Sequence, residues 1–132
     1  MLRELFHRLT GRAARTRIAM ETFGQNSALL RAHFLSTAQQ LGRPRGLTWL
    51  RLEANGEPTF ANDGRRLVAI LPVVATFEPQ PDSELEDVPQ AREPRPICVL
   101  FHFHDGWQTD GRAIFNLSAE QILASSCWQP IR

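Results

Sequence analysis

The clearest hydrophobic pattern lies in residues 27–41, where apolar side chains recur at intervals of three and four positions. This spacing is typical of one face of an α-helix, and its members are Leu30, Phe34, Ala38 and Leu41. Asn26 or Ser27 can cap the first turn of this helix. Gly42 can adopt the left-handed conformation that ends it, and Pro44 prevents its continuation. The pattern therefore predicts one long helix in the first half of the chain.

A shorter helical pattern begins the chain. Apolar residues recur at helical spacing over residues 2–9, and they are Leu2, Leu5, Phe6 and Leu9. We expect an amphipathic helix here that Gly11 ends. Five arginines lie within residues 1–24, so we treat 1–24 as a basic, partly helical segment. Such a segment could dock on its own domain, on a second copy, or on a membrane surface or partner.

The pattern changes to strand-like alternation after residue 46. Residues 47–54 should place Thr48, Leu50 and Leu52 on one face and Trp49, Arg51 and Glu53 on the other. Asn55-Gly56 predicts a hairpin turn, and Asp63-Gly64 predicts a second one. The run over residues 65–77 is largely apolar on both faces, which indicates a central strand. Pro72 lies inside this run, and its missing amide hydrogen predicts a bulge or a break there.

The segment 78–96 has a different composition, with five prolines and six carboxylates. We expect an acidic, Pro-rich surface loop. A strand is predicted over residues 96–104. After it, Asp105-Gly106 predicts a bulge or corner, and Asp110-Gly111 predicts a hairpin. Ser118 and Gln121 form a capping box at the start of a short C-terminal helix.

The helical and strand-like patterns occupy separate stretches of the chain and do not alternate, which predicts an α+β fold. We expect an antiparallel sheet of five or six strands, with one long helix on one face and a short C-terminal helix. Residues 25–132 have the length of a single domain.

Composition narrows the function classes. The formal net charge is +1, so no global field draws the protein to nucleic acid or to a membrane, and we expect no nucleic-acid partner. No segment approaches the roughly 20 apolar residues of a membrane span, so none is expected. All 15 basic residues are arginine. The two cysteines have no zinc-ligand spacing. The absence of a signal-peptide pattern predicts a cytoplasmic protein.

The densest chemistry lies in the strand Pro96–His104 and the turn after it. Alternation puts Val99, Phe101 and Phe103 on one face and Leu100, His102 and His104 on the other. Two imidazoles about 7 Å apart on one face could bind a metal, which would need a third ligand. The third ligand could come from Asp105, Asp110, His33 or Cys98. Alternatively, the histidine face lines a groove in which a carboxylate ligand contacts four residues, His102, His104, Trp107 and Arg112.

No complete catalytic motif, cofactor-binding motif or resident metal site is evident in the sequence. We therefore expect a small binding or accessory domain that acts by contact with a protein or a small ligand. We expect neither catalysis nor a cofactor, and this hypothesis includes a homo-oligomer. The alternative is an enzyme, metal-dependent or otherwise, that uses His102 and His104.

Overall fold

The structure of the chain, a computed structural model, describes the backbone of residues 2–131 and the side chains of residues 11–131. The helices are α1 (Leu2–Gln25), α2 (Ser27–Leu41) and α3 (Ala119–Ser125). The strands are β1 (Leu47–Ala54), β2 (Thr59–Asn62), β3 (Leu67–Pro79), β4 (Arg95–Phe103), β5 (Trp107–Gln108), β6 (Ala113–Phe115) and β7 (Gln129–Ile131).

All seven strands belong to one antiparallel sheet, so the predicted α+β class is confirmed. The 13-residue strand β3 is its centre and pairs with β4 on one side. On the other side β3 pairs first with β2 and then with β1. β5 and β6 both pair with β4, and β7 pairs with β2. The number of strands exceeds the predicted five or six because three short strands, of two or three residues each, join the longer ones.

The first part of the chain forms two consecutive helices, α1 and α2. The sequence predicted a short helix over residues 2–9 and one long helix over 27–41. α1 continues through Gly11 to Gln25, so the prediction that Gly11 ends the first helix is wrong. An isolated glycine destabilises a helix by only about 1 kcal/mol, and the alanines and arginines that follow Gly11 favour continuation of the helix. The predicted apolar stripe over residues 2–9 involves side chains that lie outside the described residues.

The main core lies on one face of the sheet, here called the helix face. Three members of the predicted α2 stripe, Leu30, Phe34 and Ala38, are buried. The fourth, Leu41, is 52% exposed, so the stripe is confirmed only up to Ala38. α1 adds Ala19 and Phe23, which are 3% and 0% exposed. Phe23 and the buried α2 side chains pack on alternate residues of β3 and β4, namely Ala69, Leu71, Val73, Ala75, Phe77, Ile97, Val99 and Phe101.

The opposite face of the sheet, here called the outer face, carries a smaller cluster under α3. Ile70, Cys98 and Leu100 pack there against Ile122 of the helix. The predicted capping box forms, because the Ser118 hydroxyl accepts from the Gln121 amide and the Gln121 side chain accepts from the Ser118 amide. The prediction that this helix closes the domain is wrong, because β7 follows it and pairs with β2.

Pro72 neither breaks nor bulges β3, contrary to the prediction. The carbonyl of Pro72 accepts a hydrogen bond from the Asn55 amide at 3.0 Å. The amide and carbonyl of one strand residue point to the same side, so the missing donor of Pro72 faces the connector between β1 and β2. The β3–β4 ladder is therefore left intact.

Asn55-Gly56 does not form the predicted hairpin, since β1 and β2 run in the same direction along β3. The dipeptide only carries the chain past Pro72. Asp63-Gly64 does form its predicted turn, which joins β2 to β3.

The faces predicted for β1 hold only in part. Trp49 pairs with Phe77 and Arg51 with Thr76, which leaves Leu50 as an extra residue in a bulge. As a result Trp49 is buried on the helix face while Leu50 is 49% exposed. Leu52, predicted to share a face with Leu50, packs against the core instead.

The acidic loop lies between β3 and β4 and contains a 3₁₀ turn at Pro89–Arg92. Ala91 in this turn is 4% exposed, and Leu85 and Val88 also pack against the core. Three apolar side chains therefore anchor a segment whose composition suggested little to bury. Among residues 2–131, no helix has both the length and the hydropathy to cross a membrane.

Candidate functional site

The predicted alternation of β4 is confirmed for its buried residues. Val99 and Phe101 are 0% and 1% exposed in the helix-face core, and Leu100 packs on the outer face. His102 pairs with Val68 of β3 and Gln108 of β5, and it shares the outer face with Leu100. The imidazole of His102 therefore projects away from the aromatic core.

His104 lies beyond the last residue of β4, in a turn that the sequence did not assign as a hairpin. Asp105 has φ +55° and Gly106 φ +146°, and these values reverse the chain so that Trp107 pairs with Phe103. His104 is exposed in this turn, where its amide donates to the carbonyl of Gly106. Only His102 of the two imidazoles is thus held by the strand. Within the part of the chain that the structure describes, no three His, Cys, Asp or Glu side chains cluster as metal ligands do.

Trp107 belongs to the core and does not lie beside His102. Its indole nitrogen donates to the carbonyl of Ala19 in α1 at 2.7 Å. Its ring lies 4.9 Å from that of Phe23 and 5.4 Å from that of Phe103, measured between centroids. This tryptophan ties α1 to the edge of the sheet and leaves the predicted four-residue site divided between the two faces.

Residues 109–112 form a short strap between β5 and β6, both of which pair with β4. Asp110-Gly111 is therefore an interruption along one edge and not the predicted hairpin. The Thr109 hydroxyl donates to the Leu100 carbonyl at 2.8 Å, and the Leu100 amide donates to the Arg112 carbonyl at 3.1 Å. These bonds hold Asp110 and Arg112 beside β4. The Oδ2 atom of Asp110 lies 3.9 Å from Nδ1 of His102.

The strap forms one wall of a cleft of about 560 Å³, here called the α2–β6 cleft. Its lining residues are Leu41, Arg43, Pro44, Trp49, Asp110, Gly111, Arg112, Ala113 and Phe115. Five of these side chains are apolar, and the charged groups are two guanidiniums and one carboxylate. Arg112 was a predicted site residue. Arg43 and Trp49 come from a distant part of the chain, and the sequence pattern did not place them beside Arg112.

Local hydrogen bonds fix the wall of the cleft opposite the strap. The Trp49 indole donates to the Arg43 carbonyl at 2.7 Å. The Gln39 side chain donates to the Trp49 carbonyl at 2.8 Å. Gly42 has φ +66°, the left-handed end predicted for α2. The backbone of Arg43 is therefore held between the end of α2 and β1.

A second cavity of about 480 Å³ lies on the outer face between β4 and the start of α3. Cys98, Leu117 and Pro72 are among its lining residues. Burial raises the pKa of the Cys98 thiol, and Sγ lies 3.6 Å from the Leu117 carbonyl that it faces as a donor. A thiol with a raised pKa is a poor nucleophile at neutral pH, so Cys98 is a packing residue in this cavity.

A smaller polar cavity of about 90 Å³ lies beside His102 and is lined in part by Asp63, Arg66 and Arg112. Oδ1 of Asp63 accepts the amides of Arg65 and Arg66 at 2.9 and 2.7 Å. Desolvation acts to raise the pKa of Asp63, but these bonds and the two guanidiniums outweigh it and lower the pKa below its ordinary value of 3.8. The carboxylate thus holds the β2–β3 turn closed.

We expect the Asp63→Asn variant to be less stable than the native protein at neutral pH, because it lacks the favoured charge. A lowered pKa stabilises the fold above the unfolded value and ceases to do so as the pH falls through the folded value. The difference in free energy of unfolding should therefore shrink below about pH 3.8. Urea unfolding at several pH values measures this difference. The Asp105→Asn variant is the control, and a pH-independent defect in Asp63→Asn would contradict the role of the charge.

Comparison with protein-family models, with curated proteins and with solved structures finds no match for this chain.

Proposed function

We propose that the chain is a non-catalytic binding domain and that the α2–β6 cleft takes a small molecule with an apolar, ring-sized body and a carboxylate. Small-ligand sites commonly have volumes of about 300–1,000 Å³ and mostly apolar walls with a few polar groups. The cleft, at about 560 Å³, fits this description. The observation that carries the proposal is its combination of apolar walls with two guanidiniums.

The charged groups of the cleft favour an anion. Arg43 and Arg112 are exposed, and neither forms an ion pair with any side chain in the range 11–131. A guanidinium can donate two parallel hydrogen bonds to one carboxylate. Asp110 is the single acidic group in the lining. Its side chain is 78% exposed and lies near His102, so water screens its effect on a bound anion.

The same lining supports binding without catalysis. It contains no serine, cysteine or histidine that could act as a nucleophile or base. Arginine stays protonated in proteins and cannot serve as a general base. Asp110 is the one lining residue that could act as a base or nucleophile. Its side chain is 78% exposed to water, which favours recognition of charge and shape over catalysis in the cleft.

The alternative function is an enzyme, metal-dependent or otherwise, that uses His102 and His104. The approach of His102 to Asp110 favours it, since a carboxylate can orient a catalytic imidazole. The 3.9 Å separation exceeds hydrogen-bond length, however. Metal analysis of untagged protein tests the metal-dependent form: stoichiometric zinc, iron or manganese that is lost in both His102→Ala and His104→Ala would favour the enzyme over the binding domain.

We expect 2-naphthoate to bind the native protein and to bind the Arg43→Gln and Arg112→Gln variants roughly tenfold less tightly, because each loses a charge-assisted hydrogen bond. The neutral analogue 2-naphthol has the same ring system and should bind all three proteins equally weakly. Isothermal titration calorimetry measures each affinity.

Arg45→Gln is the matched control, since Arg45 is exposed two positions from Arg43 and does not line the cleft. It should bind 2-naphthoate as the native protein does. Equal affinity for naphthoate and naphthol, or equal loss in Arg45→Gln and Arg43→Gln, would refute a carboxylate site in the α2–β6 cleft.

A further inference from the structure

Strand β1 has one unpaired edge. It pairs with β3 along Leu47–Ala54, and no strand within residues 2–131 pairs with its other side. β7 lies beside β2 but does not extend along β1. On this side the Trp49 carbonyl already accepts from the Gln39 side chain, so the open part of the edge follows the bulge at Leu50. The amides and carbonyls of an open strand edge can pair with another chain.

The register with β3 identifies the backbone groups on this edge. The Asn55 amide donates to the Pro72 carbonyl, so these two residues form a hydrogen-bonded pair. Hydrogen-bonded and non-hydrogen-bonded pairs alternate along an antiparallel ladder. Arg51 and Glu53 therefore turn their backbone groups toward β3. Leu52 and Ala54 turn theirs outward to the vacant edge.

The side chains on either side of Leu52 carry opposite charges. Arg51 and Glu53 are 63% and 62% exposed, and Nε of the arginine lies 3.1 Å from Oε1 of the glutamate. A strand with one positive and one negative residue flanking its centre is complementary to itself when it runs antiparallel. Residues directly opposite each other in a non-hydrogen-bonded pair have the closest side chains.

Backbone and charge together select one register. Pairing must join outward-facing residues, so neighbouring registers differ by two residues. A register with Arg51 opposite its own copy, or with Glu53 opposite its own copy, sets like charges against each other. The register centred on Leu52 sets Arg51 against Glu53 of the second copy, twice by symmetry. It also allows the Leu52 amide to donate to the Leu52 carbonyl of the second copy.

We propose that a second copy of this chain docks on the free edge of β1, antiparallel and centred on Leu52, to form a two-fold dimer with a sheet continuous across both copies. An isologous contact of this kind uses the same patch on each protomer and closes at two subunits. The contact is small, so the dimer belongs to the weak class of association. The proposal does not depend on the α2–β6 cleft having a ligand.

Sedimentation velocity over a concentration series tests the dimer. We expect the native chain to shift from monomer to dimer as its concentration rises to about 0.5 mM, a range suited to weak association. The R51E and E53R variants each set two like-charged pairs across the edge, and each should raise the dimer dissociation constant roughly tenfold or more. The R51E/E53R double variant restores opposite charges and should recover native association.

A mixture of the two single variants separates the contact between copies from the ion pair within one strand. R51E and E53R are complementary to each other, so an equimolar mixture should form a heterodimer although neither variant associates alone. Arg45→Glu is the control for a simple change of net charge and should associate as the native chain does. A native chain that stays monomeric over the whole series, or a mixture that does not associate, would overturn the proposal.

Discussion

Replacing Phe23 by alanine should lower the free energy of unfolding by about 3–5 kcal/mol, the range for truncating a buried phenylalanine. Phe23 is 0% exposed. Its ring centroid lies 5.7, 5.3 and 4.9 Å from those of Phe60, Phe101 and Trp107. The residue joins α1 to β2, β4 and β5 at once, so its loss opens a cavity at the junction of three strands. Urea denaturation followed by circular dichroism measures the effect.

Ile18→Ala on the same helix is the matched control. Ile18 is 59% exposed, so its truncation should change stability by no more than about 0.5 kcal/mol. If Phe23→Ala changed the free energy of unfolding as little as Ile18→Ala, the C-terminal part of α1 would not be integral to the core. The result bears directly on the basic segment 1–24, whose last residues the structure includes in the main hydrophobic core.

Replacing Gly111 by alanine should cost about 2–4 kcal/mol, the sum of a left-handed backbone and an overpacked contact. Gly111 has φ +75°, and a Cβ built there would lie 2.8 Å from Cδ1 of Leu41 and 3.2 Å from Cγ2 of Thr37. A side chain here would force Thr37 and the flexible end of Leu41 to shift, so the strap packs closely on α2 at a residue without a side chain. Thermal and urea unfolding measure the stability. Affinity for 2-naphthoate should fall as well, because the strap carries Asp110 and Arg112.

Gly42→Ala separates the two contributions. Gly42 has a similar φ of +66° but has nothing within 4 Å of an added Cβ. It should cost only the backbone part, about 1–2 kcal/mol. If Gly111→Ala were no more destabilising than Gly42→Ala, the expected cost of crowding Thr37 and Leu41 would be contradicted, and only the left-handed backbone of Gly111 would matter for stability.

The turn dipeptides show where prediction from sequence stops. Asn55-Gly56, Asp63-Gly64, Asp105-Gly106 and Asp110-Gly111 look alike in the sequence. Two of them close hairpins, while the others carry the chain along a third strand. A residue that tolerates positive φ permits a reversal of the chain. The choice of strand with which the following segment pairs depends on residues far away in the sequence.

The candidate site was predictable only in fragments. Arg112 was predicted and lies in the cleft, and His102 projects from the outer face beside the strap. Trp107 points to the opposite face because it pairs with Phe103, whose parity places it on the helix face. Arg43 and Trp49 could not be assigned, since their neighbours on the strap and β6 are more than sixty residues away in the chain.

The sequence by itself determined the features that depend on nearby residues. These are the buried positions Leu30, Phe34 and Ala38 of α2, the left-handed Gly42, the capping box at Ser118 and the extended β4 with its aromatic rings inward. Each follows from contacts within a few positions, such as i to i+4 packing or the alternation of a strand.

Only the tertiary structure decided the bulge at Leu50, the accommodation of Pro72, the α2–β6 cleft and the free edge of β1. Each of these depends on which strand or helix lies beside the residue. Pro72 is tolerated because its missing donor faces a connector, and Leu50 is exposed because β3 offers it no partner. Long-range strand pairing sets these environments, and the local pattern of polar and apolar residues is compatible with more than one such pairing.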